Sequence, residues 1–406
     1  MMIQQNLFNV QDEINTPVGY KKTEVGIIPE DWIIRSIGDF APLQRGFDLP
    51  SRLRKDGLYP VIYSNGFVNT HTEYKVKGPG ILTGRSGTIG KVHYVEQNYW
   101  PHNTSLWVTK FNEVDPKFIY FLFSKIGFER FLSGSGVPTL NRNDAHSFMI
   151  QLPKSIEEQK KIARVLSDTD ALISELAKII EKKQAIKTAT MQQLLTGTTR
   201  LPEFALREDG TPKGYKESEL GQIPEDWGVA LLADAVTFLD GLRKPVKASN
   251  RSTKQGVYPY YGASGIVDYV DDYIFDDNLI LLGEDGENIL SRNLPLAFKV
   301  SGKVWVNNHA HVMKPRPDFN ISYLTEFLES LDYSLLNSGT AQPKLNKKTC
   351  MNIKVLKPSL AEQILIGNII DEMDQEILLG IKRLNKIKSI KQGMMQELLT
   401  GKTRLV

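Results

Sequence analysis

The chain contains two copies of one sequence unit, and this repeat restricts its fold more than any other feature. Residues 19–32, GYKKTEVGIIPEDW, return as GYKESELGQIPEDW at residues 214–227, and LLTGTTRL at residues 194–201 returns as LLTGKTRL at residues 398–405. The first block is displaced by 195 residues and the last by 204. The ends of the unit have therefore kept their sequence while its middle has diverged. This pattern predicts two similar domains with a shared framework and different central parts.

Composition places the chain among globular proteins. It has 406 residues, 41% hydrophobic and 24% charged, which fits roughly two to three packed domains and excludes disorder as a whole-chain state. No apolar run approaches the length of a bilayer span, and the first residues lack the regions of a secretion signal. The single cysteine, Cys350, can form no internal disulfide, which fits a reducing compartment. We therefore expect a cytoplasmic protein without membrane contact.

Two long helices give the strongest local pattern. Ser155 with Glu158, and Ser359 with Glu362, have the spacing of capping boxes, in which the serine oxygen and the carboxylate each bind a free amide of the first turn. Each box opens a proline-free stretch of about forty residues with apolar positions three and four apart. At 1.5 Å per residue each helix would extend about 60 Å, so we expect the two helices to pack on each other.

The remaining sequence predicts an α/β fold with two domains joined by these helices. The shared exit and entry blocks place the end of the second helix near the start of the first domain, so the helices run antiparallel with an internal pseudo-two-fold repeat. The predicted boundaries are an extension at 1–18, domain 1 at 19–153, helix 1 at 154–197, a connector at 198–217, domain 2 at 218–357, and helix 2 with its tail at 358–406. Three glycines inside helix 2 leave its straightness open.

The stretch GRSGTIGK at residues 84–91 carries the most suggestive chemistry. It does not match a nucleotide-binding P-loop, because five residues separate the two glycines and a valine follows the lysine. It is either a plain hairpin turn with solvated charges or a turn whose backbone and polar side chains contact a phosphate or a base edge. The matching stretch, GEDGE at residues 283–287, has acidic residues in place of the arginine. Arginine suits guanine and a carboxylate suits the cytosine amino group, so the difference indicates either two different base readers or drift.

Other matched segments extend this candidate site, although turn or surface chemistry alone could explain each of them. The histidines of NHAH, His309 and His311, lack a third metal ligand nearby, and we predict no metal site. No methyltransferase, hydrolase or nucleotide-binding motif is present, so we expect no catalytic residues. The predicted DNA-binding residues are Ser64, Asn65, Arg85, Ser86, Thr88, Lys91, Asn141 and Arg142 in domain 1, and Ser264, Glu284, Asp285, Asn288, Asn346 and Lys347 in domain 2.

The order and duplication of these motifs resemble the specificity subunits of type I restriction-modification enzymes. The resemblance rests on the doubled G-x-I-P-E-D-W block, the Pro…Glu-Gln helix start, the LLTG-x-TRL exit and the GRSGTIGKV stretch, and it covers the chain after about residue 19. It implies two target recognition domains that each bind one half of a bipartite site in double-stranded DNA, spaced by an antiparallel coiled coil.

The resemblance also implies partners. Two modification subunits would methylate adenine with S-adenosylmethionine, and restriction subunits using ATP and Mg²⁺ could join them, while this chain itself holds no cofactor. The extension at 1–18 and the glycines of helix 2 depart from the family pattern. The alternative is a non-catalytic coiled-coil adaptor whose two domains bind proteins and have no DNA specificity.

Overall fold

The computed structural model describes residues 16–133, 139–339 and 342–405, which form two compact units. Unit 1 contains the described residues up to 177 and those from 383 onward, and unit 2 contains residues 178–382. Each unit is a mixed α/β domain packed against parts of two long helices. The predicted fold class, two α/β domains joined by long antiparallel helices in an internal repeat, is confirmed. The predicted extension at 1–18 falls mostly outside the described residues.

Unit 1 contains thirteen short strands in its described part and the first half of a long helix. The strands are β1 (Tyr20–Thr23), β2 (Gly26–Pro29), β3 (Trp32–Ser36), β4 (Leu43–Arg45), β5 (Tyr59–Tyr63), β6 (Gly66–His71), β7 (Gly80–Gly84), β8 (Val92–Val95), β9 (Trp100–Pro101), β10 (Ser105–Val108), β11 (Leu132–Ser133), β12 (Thr139–Leu140) and β13 (Met149–Pro153). The helices are α1 (Ile37–Phe40), α2 (Pro116–Ile126), α3 (Arg142–Ser147) and α4 (Ile156–Thr196), with 3₁₀ turns at Ser51–Leu53 and Phe128–Phe131.

Unit 2 repeats this order. Its helices are α5 (Pro202–Ala205), α6 (Leu232–Ala235), α7 (Ala248–Arg251), α8 (Asn288–Ser291), α9 (Ile321–Glu329), α10 (Lys347–Met351) and α11 (Leu360–Leu398), with 3₁₀ turns at Asp240–Leu242 and Ser334–Leu336. Its strands are β14 (Tyr215–Ser218), β15 (Gly221–Pro224), β16 (Gly228–Leu231), β17 (Val236–Phe238), β18 (Gln255–Gly262), β19 (Gly265–Val270), β20 (Phe275–Asp276), β21 (Leu279–Gly283), β22 (Ala297–Val300), β23 (Lys303–Val306), β24 (Ala310–Pro315) and β25 (Lys354–Lys357).

The sheets of the two units share one topology. A four-stranded antiparallel sheet has the order β4-β10-β7-β8 in unit 1 and β17-β24-β21-β22 in unit 2. Beside it lies a hairpin, β5-β6 or β18-β19, whose first strand also pairs in parallel with β9 or β23. The central strands β7 and β21 are fully buried, as their apolar sequences GILTG and LILLG require. The turn after each central strand therefore starts from a rigid base.

One amphipathic helix in each unit covers the four-stranded sheet. In α2, the Asp115 side chain accepts a hydrogen bond from the Phe118 amide, and Pro116 occupies the first turn, where its missing N–H costs nothing. Phe118, Phe121 and Leu122 are buried in the core of unit 1. Its counterpart α9 is capped by Asn320 in the same way. These caps explain why both helices begin where they do.

The long helices pack antiparallel within each unit. In unit 1, Lys391 of α11 forms an ion pair with Asp170 of α4 at 2.5 Å. In unit 2, Lys187 of α4 pairs with Asp374 of α11 at 2.6 Å. Also within unit 2, Lys183 of α4 pairs with Glu376 of α11, so a step from residue 183 to 187 along one helix moves the partner from 376 back to 374 along the other. Apolar residues such as Ile162 and Leu166 in α4 are buried in this packing, whereas Leu172 and Ile179 of the same predicted pattern are exposed, so the predicted periodicity holds for only part of the helix.

The duplicated end blocks meet in a partly buried ion-pair cluster, one in each unit. In unit 1, the Arg404 guanidinium donates to both carboxylate oxygens of Glu158 at 2.6 and 2.8 Å, and to Asp31 of the IPEDW block at 2.8 and 2.9 Å. In unit 2, Arg200 makes the same contacts with Glu362 and Asp226. The side chains of Glu158 and Glu362 are only 3% and 1% exposed. The arginines neutralise carboxylates that water cannot reach.

The capping boxes are therefore only half formed. The Ser155 hydroxyl accepts from the Glu158 amide at 3.4 Å, and Ser359 accepts from the Glu362 amide at 3.3 Å, as predicted. The predicted return bond from each carboxylate to the serine amide is wrong, because the carboxylates bind the arginines instead. The following glutamine, Gln159, donates to the Pro153 carbonyl and accepts from the Asp115 amide, which ties the helix start to β13 and α2.

The ends of the long helices close onto the first hairpin of each unit. Gly401 follows α11 with φ +75°, a conformation that favours glycine, and a Cβ atom there would lie 2.7 Å from the Pro29 ring. The Tyr20 hydroxyl donates to the Gly401 carbonyl at 2.9 Å. Gly197, Pro224 and Tyr215 repeat these contacts in unit 2. A glycine thus ends each long helix, and the predicted position of the second helix's end beside the start of domain 1 is confirmed.

Disrupting one of these ion-pair clusters should destabilise the unit that contains it. We expect Arg404→Gln to lower the free energy of opening of unit 1 by about 3 to 5 kcal/mol, because it leaves the buried Glu158 carboxylate without a cation. Native-state hydrogen exchange measures this, with amides of unit 2 as the internal reference. The matched variant Lys402→Gln removes an exposed charge two residues away and should change the free energy by less than about 0.5 kcal/mol. Equal effects of the two variants would contradict the role of the cluster.

The glycines inside α11 should respond in opposite directions to alanine. The helix is continuous through all three of them. A Cβ at Gly393 meets nothing within 4 Å, so Gly393→Ala should stabilise the protein by roughly 0.5 to 1 kcal/mol through reduced freedom of the unfolded chain. A Cβ at Gly367 would lie 2.8 Å from Asn320 Oδ1 and 3.1 Å from the Tyr323 amide nitrogen, so Gly367→Ala should destabilise it. Calorimetric melting temperatures test the order, and a higher melting temperature for Gly367→Ala than for Gly393→Ala would contradict it.

Candidate nucleic-acid interface

In unit 1, Thr104 joins two of the predicted DNA-binding turns. Its hydroxyl accepts a hydrogen bond from the Ser64 amide at 3.3 Å, and its carbonyl accepts from the amides of Arg85 and Ser86 at 2.8 and 3.3 Å. Residues 84–91 connect the antiparallel strands β7 and β8, which confirms the predicted turn between strands. Gly87 and Gly90 have φ angles of +82° and +93°, which the tight turn requires.

The third predicted segment of domain 1 lies against the same turn. The Leu140 amide donates to the Arg85 carbonyl at 2.9 Å, and Ser86 forms an isolated bridge with Thr139. The side chain of the next residue, Asn141, accepts a hydrogen bond from the Asn143 amide and caps α3. Arg142 therefore lies exposed in the first turn of this short helix, which separates it from strand β13. The fold thus brings together all three segments that carry the predicted residues of domain 1.

Unit 2 builds the same frame from different residues. The Glu284 amide donates to the His309 carbonyl at 2.8 Å, and the Glu284 carbonyl accepts from the Leu345 amide at 2.8 Å. Asp285 bridges Lys344 as Ser86 bridges Thr139. Arg85 and Glu284 therefore occupy equivalent backbone positions, as the sequence alignment of the two copies predicted. The turn at 261–265 adjoins this loop, since a Cβ at Gly283 would lie 2.7 Å from the Ala263 carbonyl oxygen.

The loop of unit 1 presents unpaired positive charge. Arg85 is half-buried and Lys91 is exposed, and neither side chain forms a hydrogen bond or ion pair with the described residues. Ser86 and Thr88 are partly exposed beside them, and Asn65 is exposed at the neighbouring turn, while Ser64 is buried. The uncompensated cations and hydroxyls of this loop can therefore contact phosphate or base acceptors without breaking an internal bond.

The His93 imidazole contacts the turn at Ser64, which adjoins this loop. Its Nε2 lies 3.3 Å from the Ser64 carbonyl oxygen. Burial lowers the pKa of His93, and the charge of Lys91 contributes in the same direction, against the Ser64 contact. The imidazole therefore lies against the turn that carries Ser64 and Asn65.

The carboxylates of unit 2 are already engaged. Glu284 pairs with Arg243 at 2.7 Å and lies 3.5 Å from the Lys344 ammonium, while Asp285 lies 2.9 Å from His309 Nδ1. The side chains of Glu284 and Asp285 are only 14% and 20% exposed. A cytosine amino group would have to compete with Arg243 and Lys344 for Glu284, which makes Glu284 more of a support for the loop than a free acceptor. Its predicted base contact stays a prediction.

The other predicted residues of domain 2 occupy turn and cap positions. The side-chain amide of Asn288 donates to the Leu294 carbonyl through its nitrogen and accepts from the Leu294 backbone amide through its oxygen. These two bonds close the loop after α8. Asn346 caps α10 through the Thr349 amide, and Lys347 lies exposed over the Phe238 ring at 5.4 Å. Ser264 is partly exposed at the hairpin turn. DNA contact by each of these residues stays a prediction.

The two histidines of NHAH have carboxylate partners. His311 is buried and its Nδ1 lies 2.8 Å from Asp240, while His309 lies beside Asp285. Burial lowers the pKa of His311, but its contacts with Asp240, Cys350 and the Leu345 carbonyl together outweigh burial and raise the pKa to about 10. In the described part of the chain, no group of three or more His, Cys, Asp or Glu side chains could hold a metal ion. No helix there is long and apolar enough to cross a membrane.

The sequence interpretation missed the residues that hold each frame together. Thr104 and His309 follow a tryptophan by four residues in both copies, after Trp100 and Trp305, and this repeated spacing was the available signal. Arg243 was also missed, although it belongs to a run of basic residues, without acidic residues, between positions 241 and 254.

Comparison with known families matches each copy of the repeat. A family model described as the type I restriction modification DNA specificity domain matches residues 29–188 and again residues 224–389. These two matches together span most of the chain.

Individual proteins extend this likeness over the full length. The chain is 26% identical to the putative type I restriction enzyme MjaX specificity subunit of Methanocaldococcus jannaschii, over 95% of this chain and 97% of that protein. It is also 26% identical to the type I restriction enzyme MjaVIII specificity subunit of the same organism, over 93% and 94% of the two chains. The crystal structure of a type I restriction-modification system S subunit from M. genitalium matches with a TM-score of 0.65 and 18% identity, over 90% of this chain and 96% of that chain. At this identity, the structural match supports the fold alone.

The buried His311 should make the stability of unit 2 depend on pH. A histidine whose pKa is raised by folding contributes its full stabilisation below its unfolded pKa of about 6.5 and loses it as the pH rises through its folded pKa. We therefore expect the difference in stability between wild type and His311→Gln to be largest near pH 6 and to shrink towards pH 10. Hydrogen exchange of unit 2 amides at several pH values measures this difference. A difference that stays constant across that range would contradict the assignment.

Proposed function

Because the chain belongs to the family of type I restriction-modification DNA specificity subunits, we propose that each of its α/β domains recognises one half of a bipartite, asymmetric DNA site. The family contains two DNA specificity domains in one chain, as this protein does. The protein is then the sequence-recognition component of a complex whose chemistry resides elsewhere. The rival interpretation, a protein adaptor without DNA specificity, is not favoured by these relationships.

The observation that carries this proposal is one backbone frame with two different tips. Equivalent hydrogen bonds fix the amide and carbonyl of Arg85 and of Glu284. The side chains on the frame then differ in charge, with free cations in unit 1 and paired carboxylates in unit 2. A guanidinium can bind guanine O6 and N7 together, whereas the loop of unit 2 requires different acceptors and donors. Two such loops favour half-sites of different sequence.

The long helices have a separate role in the proposal. They would set the half-site separation and provide surface for two modification subunits. S-adenosylmethionine would bind those subunits, and ATP with Mg²⁺ would bind restriction subunits if these are present. This chain would act in the cytoplasm and contribute recognition without catalysis. Its net charge of +3 is modest for a protein that binds DNA alone, which fits phosphate contacts shared with partner subunits.

Exchange of one domain tests modular recognition. We expect replacement of residues 23–152 by the corresponding domain of a relative to change one half-site only. The measurement is methylome sequencing of cells that express the hybrid with its modification subunits, and the untouched half-site serves as the internal control. Changes in both halves would contradict independent recognition, and loss of all sequence preference in a folded complex would favour the adaptor.

Arg85 gives a sharper test within one loop. If it binds a base edge, Arg85→Gln should weaken binding to the recognised sequence by about 1 to 3 kcal/mol and relax specificity at a single base pair. Arg85→Lys keeps the charge and loses the two-point geometry, so it should retain non-specific binding and still lose discrimination. Competition between recognised and single-base-changed duplexes measures both effects. Unchanged discrimination in both variants would remove Arg85 from base recognition.

A further inference from the structure

Each unit carries a basic segment between the first strand of its four-stranded sheet and the following hairpin. In unit 2, residues 241–254 contain five lysines or arginines and no acid. In unit 1, residues 52–55 read RLRK in the corresponding connection between β4 and β5. Neither segment belongs to the loops that were predicted to contact bases. Their shared position in two divergent domains calls for a shared role.

The backbone of the unit 2 segment is firmly anchored. Trp305 Nε1 donates to the Lys244 carbonyl at 2.6 Å, and the Val246 amide donates to the Tyr260 hydroxyl at 3.0 Å. Tyr260 and Trp305 form a small buried cluster beneath the segment. In unit 1, Trp100 Nε1 donates to the Phe47 carbonyl at 3.3 Å, and Leu49 is buried beside it. A tryptophan thus fixes the equivalent connection in both units.

The lysines and arginines of the unit 2 segment fall into two groups. Arg243 binds Glu284 and the Ala310 carbonyl, and Arg251 binds Asp268 and the Val246 carbonyl, so both serve the domain itself. The others are exposed and form no side-chain hydrogen bond or ion pair with the described residues; they are Lys244, Lys247 and Lys254. The segment therefore holds three ammonium groups on a fixed backbone without counter-ions.

The unit 1 segment has the same property. Arg52, Arg54 and Lys55 are exposed, and their side chains have no ion pair within the described residues. Arg54 lies close enough to His102 to influence it, because its charge adds to burial in lowering the pKa of that imidazole. His102 stacks on Tyr63 at 4.1 Å between ring centroids, directly before the turn that carries Ser64 and Asn65. The free cations thus flank the candidate interface of unit 1, as Arg243 connects the other segment to Glu284 in unit 2.

We propose that these two segments, which we call the basic flanks, bind the phosphate backbone of duplex DNA beside each half-site without regard to sequence. The basic flanks are residues 52–55 and residues 244–254. This inference rests on the proposed function and adds a division of labour to it. Mobile lysines on a fixed backbone suit phosphate oxygens, which lie at similar positions beside every base pair. The flanks are basic in both units although the loops differ in charge, which is the distribution that a sequence-independent contact requires.

Neutralising one basic flank should lower affinity and salt dependence together. The variant combines Lys244→Gln, Lys247→Gln and Lys254→Gln in the full chain assembled with its modification subunits. Each phosphate contact contributes about 0.9 to the slope of log affinity against log salt concentration, so loss of three contacts should reduce the slope by about 3. Binding should weaken equally on the recognised duplex and on random-sequence duplex, and the methylated sequence should stay the same.

Two control variants make the result specific. The corresponding Lys→Arg triple keeps the charge and should retain the wild-type slope. Lys216→Gln removes an exposed lysine from the β14 strand, which lies at the helix-closing hairpin, and should leave the slope unchanged. An unchanged slope in the Lys→Gln triple would overturn the flank. So would an altered methylated sequence, because it would place these lysines among the base contacts.

The test separates this inference from the function on which it rests. If the wild-type complex shows no sequence preference in binding or methylation, the proposed function fails. If the wild-type complex is sequence-specific and the Lys→Gln triple binds as tightly with the same salt slope, only the basic flank fails. The Arg52→Gln, Arg54→Gln and Lys55→Gln variant repeats the measurement in unit 1 and should give an equivalent reduction.

Discussion

Two buried glutamates, Glu158 and Glu362, set the requirement that organises the rest of the fold. Each lies in the first turn of a long helix and is almost completely shielded from water, so its charge must be met by a buried cation. The arginine that meets it comes from the segment after the other long helix, and the same arginine also binds the aspartate of the IPEDW block. The duplicated blocks have therefore kept their sequence because each must complete the same cluster. The conserved ends need no partner protein to explain them.

Local pattern was sufficient to predict the elements that depend on neighbouring residues. The helical pattern, the serine caps and the glycine-rich turn all depend on side chains within a few positions of each other, and these elements were found. The capping glutamates were misassigned because their arginine partners lie 246 and 162 residues away in sequence. The pairing of Glu284 with Arg243 was not foreseen for the same reason, since the two residues lie 41 positions apart and meet only through the fold. Spacing within a sequence predicts local geometry, but it does not predict which distant charge will neutralise a buried group.

The candidate interface separates two physical tasks. Thr104 in one unit and His309 in the other hold the loops through backbone bonds, which any side chain tolerates, so the residues at the tips can change without loss of the frame. The basic flanks lie in connections that have a second anchor, a tryptophan that donates a hydrogen bond to a backbone carbonyl in each unit. Sequence recognition and sequence-independent binding of phosphates therefore depend on different parts of each domain. A domain with this construction can acquire a new target through substitutions in the loops alone.

The discontinuity of unit 1 has a consequence for the order in which the chain folds during synthesis. Unit 2 is built from the continuous stretch 178–382, so all of its described core is available before the ribosome has added the last segment. Unit 1 draws Leu398, Leu399 and Arg404 from residues that follow the whole of unit 2. Until those residues emerge, Glu158 remains uncompensated and part of the core of unit 1 stays open. The domain that is translated first is therefore the one that can be completed only last.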